Sequence, residues 1–542
     1  IILRKQIYFL NIFAKMFKLS FVLLFCIICC TATNGTTANE EQKEETTEQL
    51  QVTTPQPSTA PTFVLDEESV QTLVEDAIDY SHKVFLITRL PTAKDKSNMS
   101  VFAPFTLFPS PYPREMYKQA IDVAKAMSLL YFRISRDLDF MKMVYKDVIA
   151  SNSSIEQFMG FCEEMHAQGF HKQPLAIYLQ RSDYFVHINK DGEFQLKQIE
   201  FNSGSVGGAN GLSPRVTEIH ERVLRKAGFP NLPEDVLPRN PNAKAGAAKI
   251  LVDAWRRFKN PAAIIVSIVH KEYSYWHFLK RYDEYEIDEL TKYKAKVVYL
   301  TVFECGNYLT LDDDLTLRLK GDPVAVVYAN VVMTGHKMLP ETLALFKMIE
   351  RSTAFYSSTV CADLSQTKIV QQVLTRPGMV EKFFPSPGEA PMVTAIRKTF
   401  AKIWALDNDD DDTKAIIADA IAFPDRYVLK PNREGGGKNF WGQDIVDKLT
   451  QFTQKERASF ILMEKLNPLT VKNYLVWPSR DEAVFDDVVM ELGVYGFMLG
   501  NRVDGTVPYF DQPGHLVRTK LASSNEGGVS VGTGAFDSVY LY

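Results

Sequence analysis

Between Val428 and Gly442 the chain reads VLKPNREGGGKNFWG. Apolar residues lead into Lys430, and the carboxylate Glu434 precedes three consecutive glycines, Gly435, Gly436 and Gly437. Glycine has no Cβ, so backbone N–H groups in such a run can close around phosphate oxygens. Lys430 supplies positive charge. Glu434 and Asn439 supply hard oxygen atoms of the kind Mg2+ takes. The run is not a Walker A loop. Lys438 follows the glycines, but Asn439 stands where Ser or Thr is required, and the first glycine is missing. By itself it fits a plain surface turn as well as a phosphate cradle.

Other polar clusters sit where apolar runs end. RSDYF spans Arg181 to Phe185, and QIEFNSGSVGG spans Gln198 to Gly208. On a strand, Glu200 and Asn202 alternate around Phe201 and share one face. That pair suits Mg2+; a strand edge running into a glycine turn is the alternative. MEKL, Met463 to Leu466, closes an apolar strand and could offer backbone groups to an adenine edge, or be a strand end alone. Glu491 interrupts the apolar run VVMELG, a costly position unless paired or placed at a site. HLVRTK, His515 to Lys520, puts Arg518 and Lys520 on one face and leads into SSNEGGVSVGTG. Gly528 to Gly532 matches a GxSxG nucleophile elbow, yet no histidine follows His515, so a serine hydrolase is excluded. The nine histidines form no HExxH pair.

These residues need elements to position them. Met116, Ala120, Val123, Met127 and Leu130 recur every three or four residues, which predicts a helix over about 115–132 with one buried face. AAIIVSIV (262–269), AKVVYLTVF (295–303) and PVAVVYA (323–329) suit strands buried on both faces. Charged helical segments separate them, so a small parallel α/β unit is expected. Beyond Phe384, RYVLKP, ASFILMEKL and DDVVMELGVYGFML read as longer antiparallel strands. The acidic run Asp407 to Asp412 lacks the glycine and terminal glutamate of a calcium loop and reads as a solvated loop. The fold class is mixed α/β (α+β).

Bulk properties narrow the function. The 542 residues are 46% hydrophobic and 12% aromatic, a globular composition. The net charge of −5 with mixed signs gives no basic field for nucleic acid. Met16, Lys18, the apolar stretch Leu19 to Cys30 and the small residues Thr31 to Thr33 describe a secretory signal peptide, so secretion is expected. The stretch is too short for a stable membrane anchor. Residues 1–33 are read as leader and 34–62, rich in Thr, Glu and Pro, as a disordered tether. Of six cysteines, three fall in the leader. Cys162, Cys305 and Cys361 remain, too widely spaced to read as a disulfide framework. Sequons stand at Asn34, Asn98 and Asn152.

Taken jointly, LKPNREGGGKN, ILMEKL, TRPGMVE (375–381), QIEFN, RSDY and HLVRTK followed by EGGV carry a resemblance. From about Phe63 to Tyr542 the chain resembles eukaryotic glutathione synthetase, an ATP-grasp ligase. With its leader it is similar to secreted glutathione-synthetase-like proteins of plant-parasitic nematodes. The resemblance implies ATP between two antiparallel sheets, with Mg2+ bridging its phosphates. It places Glu200, Asn202 and Glu434 at the metal, and Lys368, Lys430 and Lys520 around phosphates or ribose. Phe185, Gly435, Gly436, Gly437, Asn439, Trp441, Met463, Glu464, Lys465, Leu466, Glu491 and Glu526 complete the ATP pocket. Arg181 and Arg518 face the reacting carboxylate or the incoming amino acid. Ser203, Ser205, Glu272, Ser274, Phe278, Asn330, Met333, Val529 and Ser530 fall in the substrate pocket. The implied order is an N-terminal ATP-grasp part (63–257), a substrate-binding α/β domain (258–366) and a C-terminal ATP-grasp part with lid (367–542), in a homodimer. The implied reaction turns the carboxylate of γ-glutamylcysteine into an acyl phosphate, which the amine of glycine then displaces.

The substrate half departs from that pattern. Only Ser203, Gly204, Ser205 and Val206 separate Asn202 from the paired glycines, two residues fewer than the family carries. Ser274 replaces an asparagine and Phe278 a glutamine. Asn330, Val331, Val332 and Met333 stand where the family has an RDGY-type motif. Trp441 replaces a tyrosine and Lys438 an asparagine. Each lost charge-assisted contact is commonly worth about 1.5–3 kcal/mol. Two readings follow: a ligase with an altered donor or acceptor, or a secreted binding protein that keeps nucleotide affinity without efficient glutathione synthesis.

Overall fold

The computed structural model describes residues 61–89, 99–149, 152–170, 172–204, 206, 211–229, 232–233, 235–240, 243, 245–269, 274–329, 337–432, 439–525, 527–529 and 532–542, with backbone alone for 274–280. The leader, most of the tether and the sequons at Asn34 and Asn98 lie outside these residues.

Helix α1 (Glu67–Lys83) starts at Asp66, whose carboxylate accepts from the Ser69 N–H; Glu67 and Glu68 in the first turn suit the positive end of the helix. Just before it, the Phe63 ring stacks on Phe108 at 4.9 Å. Helix α2 (Arg114–Ser135) is the one its spacing predicts, and all five of the named apolar residues are buried. Helix α3 (Ser153–Gln168) is capped by Asn152, whose Oδ1 accepts from the N–H groups of Ser154 and Ile155.

Two long antiparallel strands follow, β1 (Leu175–Ile188) and β2 (Phe194–Ser203). The expected parallel unit is present as β3 (Ile264–Val269), β4 (Val297–Thr301) and β5 (Asp322–Ala329), with β3 central and parallel to both neighbours. All six residues of β3 are buried, as strands covered on both faces require. The second apolar run does not continue as strand to Phe303. Thr301 closes a capping box with Glu304, and Val302–Tyr308 forms a helix instead.

Helix α4 (Val360–Ser365) and helix α5 (Lys368–Thr375) lead into a three-stranded antiparallel sheet of β6 (Ile403–Ala405), β7 (Tyr427–Pro431) and β8 (Phe460–Glu464), with β8 in the middle. The acidic run is not a simple loop. Asp410 caps the helix Asp411–Ala422 through the Thr413 N–H, and Asp411 and Asp412 fill its first turn.

The last third of the chain adds β9 (Thr470–Val476), β10 (Val484–Asn501), β11 (His515–Leu521) and β12 (Gly534–Asp537). They join β1 and β2 in one sheet, with β12, β11, β10, β1 and β2 side by side. Tyr495 on β10 faces Arg181 on β1, and Glu491 faces Arg518 on β11. The run of chain from 175 to 203 is thereby tied to the run from 484 to 521. That pairing assembles the site.

One reading is corrected. Cys162 on α3 and Cys361 on α4 form a buried disulfide across 199 residues of sequence, with Cα atoms 5.3 Å apart. Spacing along the chain could not reveal it, because folding alone brings α3 against α4. Cys305 is a buried free thiol. Among the described residues, no helix is long and apolar enough to cross a membrane.

Candidate functional site

Phe201 explains the geometry of its neighbours. Its ring is buried and stacks on Tyr131 of α2, with centroids 3.7 Å apart and planes at 4°. The pleat then turns Glu200 and Asn202 to the opposite face of β2. There the Asn202 Nδ2 donates to Glu200 Oε1 at 3.1 Å. The shared face expected from sequence is present.

Three more strands complete the cluster. On β1, Arg181 Nε and Nη2 donate to Asp183 Oδ1 and Oδ2 at 2.6 and 2.7 Å, a planar fork. From β11, Arg518 Nη2 reaches Asp183 Oδ2 at 3.0 Å and also pairs with Glu491 of β10. Asn202 Nδ2 donates to Asp183 Oδ2 at 2.9 Å. Oxygens of Asp183, Glu200 and Glu491 lie within 4.8 Å of one another. Glu491, the carboxylate that interrupts an apolar strand, is thus paired, which resolves its cost.

The electrostatics follow. Burial works against charge on Glu200, yet its pKa is lowered to about 2; Lys368 is the leading cause, then Arg518, the Asn202 hydrogen bond and Arg181. Burial pushes Glu491 up, Arg518 pulls it back, and Asp183 and Glu200 push it further. A carboxylate held ionised beside an amide and two more carboxylates is hard-oxygen chemistry that fits Mg2+. Glu200 and Asn202 would hold the ion from this side.

Lys368 opens α5 and Lys430 ends the buried part of β7; both are buried. Lys520 Nζ donates to the carbonyls of Ser524 and Asn525 at 2.8 Å each, so the second glycine loop folds back on it. Behind the cluster, the Ser203 N–H donates to Gln366, and the buried Ser203 Oγ has no hydrogen-bond partner. Gln366 and Lys368 stand on the stretch that the disulfide pins to α3.

The MEKL edge is narrower than its sequence suggests. The N–H groups of Glu464 and Lys465 donate to the carbonyls of Lys402 and Arg426, and Glu464 Oε1 accepts from the Lys402 N–H. Met463 is buried, Leu466 packs against the main core, and Lys465 Nζ lies 5.9 Å from the Trp441 ring centroid. Phe185 and Asn439 are half-buried, and Val529 packs on the second core. Ser205, Glu272, Asn330, Met333, Glu434, Gly435, Gly436, Gly437, Glu526 and Ser530 lie outside the described residues, as do the side chains of Ser274 and Phe278. The residue that sequence reasoning passed over is Asp183. It was visible within RSDYF, but its role needs the register of three strands.

A model of the eukaryotic glutathione synthase ATP-binding domain matches residues 67–541. The Bos taurus glutathione synthetase is 33% identical over 478 residues, covering 88% of this chain and 98% of that protein. The Homo sapiens glutathione synthetase is 31% identical over 477 residues, with the same coverages. Among solved structures, the apo form of a glutathione synthetase like-effector from Globodera pallida matches with a TM-score of 0.72 and 32% identity, covering 88% of this chain and 98% of that one.

Proposed function

The chain belongs to the eukaryotic glutathione synthetase family, and from that premise we propose an ATP-dependent ligase that joins a γ-glutamylcysteine-like carboxylate to a glycine-like amine through an acyl phosphate, in a diverged peptide pocket. The observation that carries it is the charged wall of Arg181, Asp183, Glu200, Asn202, Glu491 and Arg518. The buried Lys368, which acts on Glu200, adds a compact cation that can meet a phosphate.

The chemistry asks three things of these residues. Lys368 and Lys430 offset the negative charge that gathers on a transferring phosphoryl group. Arg181 and Arg518 draw an anionic carboxylate into line, and their fixed pairing spares reorganisation during reaction. The second glycine loop, folded onto Lys520, helps keep water from an acyl phosphate that it would hydrolyse. Mg2+, when bound, supplies further charge neutralisation at the phosphates.

The proposal extends to secretion from the Met16 leader and to a homodimer. The buried disulfide supports the first, since such bonds persist in oxidising compartments. A second reading is a secreted effector-like protein that binds nucleotide and another ligand without efficient glutathione synthesis. The substitutions at Ser274, Phe278, Asn330 and Met333 favour it, as does the likeness to the Globodera pallida protein. Phosphate release by the purified chain with Mg-ATP, γ-glutamylcysteine and glycine separates the two. Turnover dependent on both substrates supports the ligase. Nucleotide binding with no substrate-dependent release supports the second reading.

A further inference from the structure

Asp183 has no task in the scheme above, yet it is fully buried. A buried carboxylate is costly unless its oxygens are engaged. Here Oδ1 takes the Arg181 Nε–H, and Oδ2 takes N–H groups from Arg181, Arg518 and Asn202. We propose that Asp183 is a positioning residue which locks the two guanidiniums and the Asn202 amide into one unit, so that holding the cation and holding the substrate carboxylate are coupled. The proposal rests on the ligase reading for its catalytic consequence.

Two physical points support it. The first concerns Asn202. Its Nδ2 spends its hydrogens on Asp183 Oδ2 and Glu200 Oε1. The amide carbonyl is then the atom left for a hard cation. The flipped amide would set its oxygen against two carboxylates, so Asp183 helps select the ligating orientation. The second point is Arg181 and Arg518, two like charges that share one site. Without the carboxylate between them they would repel at low effective dielectric. Asp183 accepts from both, with Oδ2 taking three N–H groups and Oδ1 one. It acts through its neighbours.

Gly493 is an independent sign that the fold makes room for this unit. It lies opposite Asp183 in the β10–β1 pairing. A Cβ there would stand 2.5 Å from Asp183 Oδ1 and 2.7 Å from Arg181 Cδ. Glycine inside a strand is unfavourable unless something must approach closely. What approaches is the Asp183–Arg181 fork.

The test uses the full chain, Asp183→Asn and Gly493→Ala. AMP-PNP is titrated calorimetrically over a series of Mg2+ concentrations, phosphate release is followed with γ-glutamylcysteine and glycine, and thermal midpoints are recorded. Asp183→Asn should raise the Mg2+ needed for half-maximal AMP-PNP affinity and lower kcat, each by about 10- to 100-fold, as loss of a supporting contact does. The KM for ATP at saturating Mg2+ should stay within about threefold, because Lys368 and Lys430 are untouched. Gly493→Ala, which removes no charge, should move the same quantities in the same direction. If Asp183→Asn does not fold, Gly493→Ala decides. Unchanged Mg2+ dependence in the folded variants, with only the thermal midpoint lowered, overturns the proposal. A wild-type chain without turnover sinks the ligase reading instead, and the Mg2+ titration still decides the role of Asp183.

Discussion

One sheet buries carboxylates in two different ways. At the site, Glu200 is surrounded by Lys368, Arg518 and Arg181, and its pKa falls to about 2 despite burial. Across the sheet, the hydrogen bonds that Asp537 on β12 accepts among the described residues come from neutral donors: Ser110 Oγ and Thr519 Oγ1 at 2.6 Å each, the Ser538 N–H at 2.7 Å and the Ser110 N–H at 3.3 Å. Burial there pushes its pKa up to about 6. Neutral hydroxyls satisfy an acid without fixing its charge; cations fix the charge. A wall of fixed charges is a poor device for stability, since apolar replacements of buried ion pairs are often neutral or better. Its presence therefore points to ligand chemistry, and the Asp537 cluster to architecture.

Substitutions can break that contrast. Arg518→Ala should lower kcat/KM by about 100- to 1000-fold, the scale of a lost transition-state donor, with folding retained by circular dichroism. A large loss of stability without a selective loss of turnover would move the site into the architectural class. On the face of β2 opposite Glu200 and Asn202, Phe201→Ala should cost about 3–5 kcal/mol in denaturant unfolding, because it empties the stack on Tyr131. AMP-PNP affinity well below the melting point should survive it.

Removing the disulfide sharpens the comparison at a distance. Cys162→Ser with Cys361→Ser should cost about 2–4 kcal/mol of stability, measured against the oxidised chain. Nucleotide affinity should weaken as well if the pinned stretch that carries Gln366 and Lys368 loosens.

A further effect, graded over a pH window, lies on the architectural side. Burial lowers the pKa of both His220 and His515 to about 4, from an ordinary 6.5. Between those values the unfolded chain binds protons that the folded chain refuses. Stability therefore falls on acidification through this window, by up to about 1.4 kcal/mol per pH unit for each imidazole. Asp537 runs the other way: from 3.8 to about 6 the folded chain keeps a proton that the unfolded chain has lost, so stability falls as pH rises there. His515→Gln should show a shallower loss of melting temperature from pH 6.5 to 4 than the wild type, and an identical slope would refute the assignment.

Much of this was legible in the chain. Helix α2 and strands β3 and β5 follow from apolar spacing, and the pairing of Glu200 with Asn202 follows from period-two alternation. Thr301 and Glu304 carried a capping signal that the apolar run around them obscured. Asp410 was hidden in the same way among like charges, although one aspartate at the start of a helix is a cap. The disulfide and the role of Asp183 were not legible in principle. Both depend on which distant segments become neighbours, and local pattern does not encode that register.

The most direct test of the central claim is calorimetric titration of AMP-PNP into the wild-type chain and Glu200→Gln, each with and without Mg2+. The charged wall predicts binding that Mg2+ strengthens in the wild type, with that dependence largely lost in Glu200→Gln. Binding that ignores both Mg2+ and the substitution, or no binding to either chain, would contradict it.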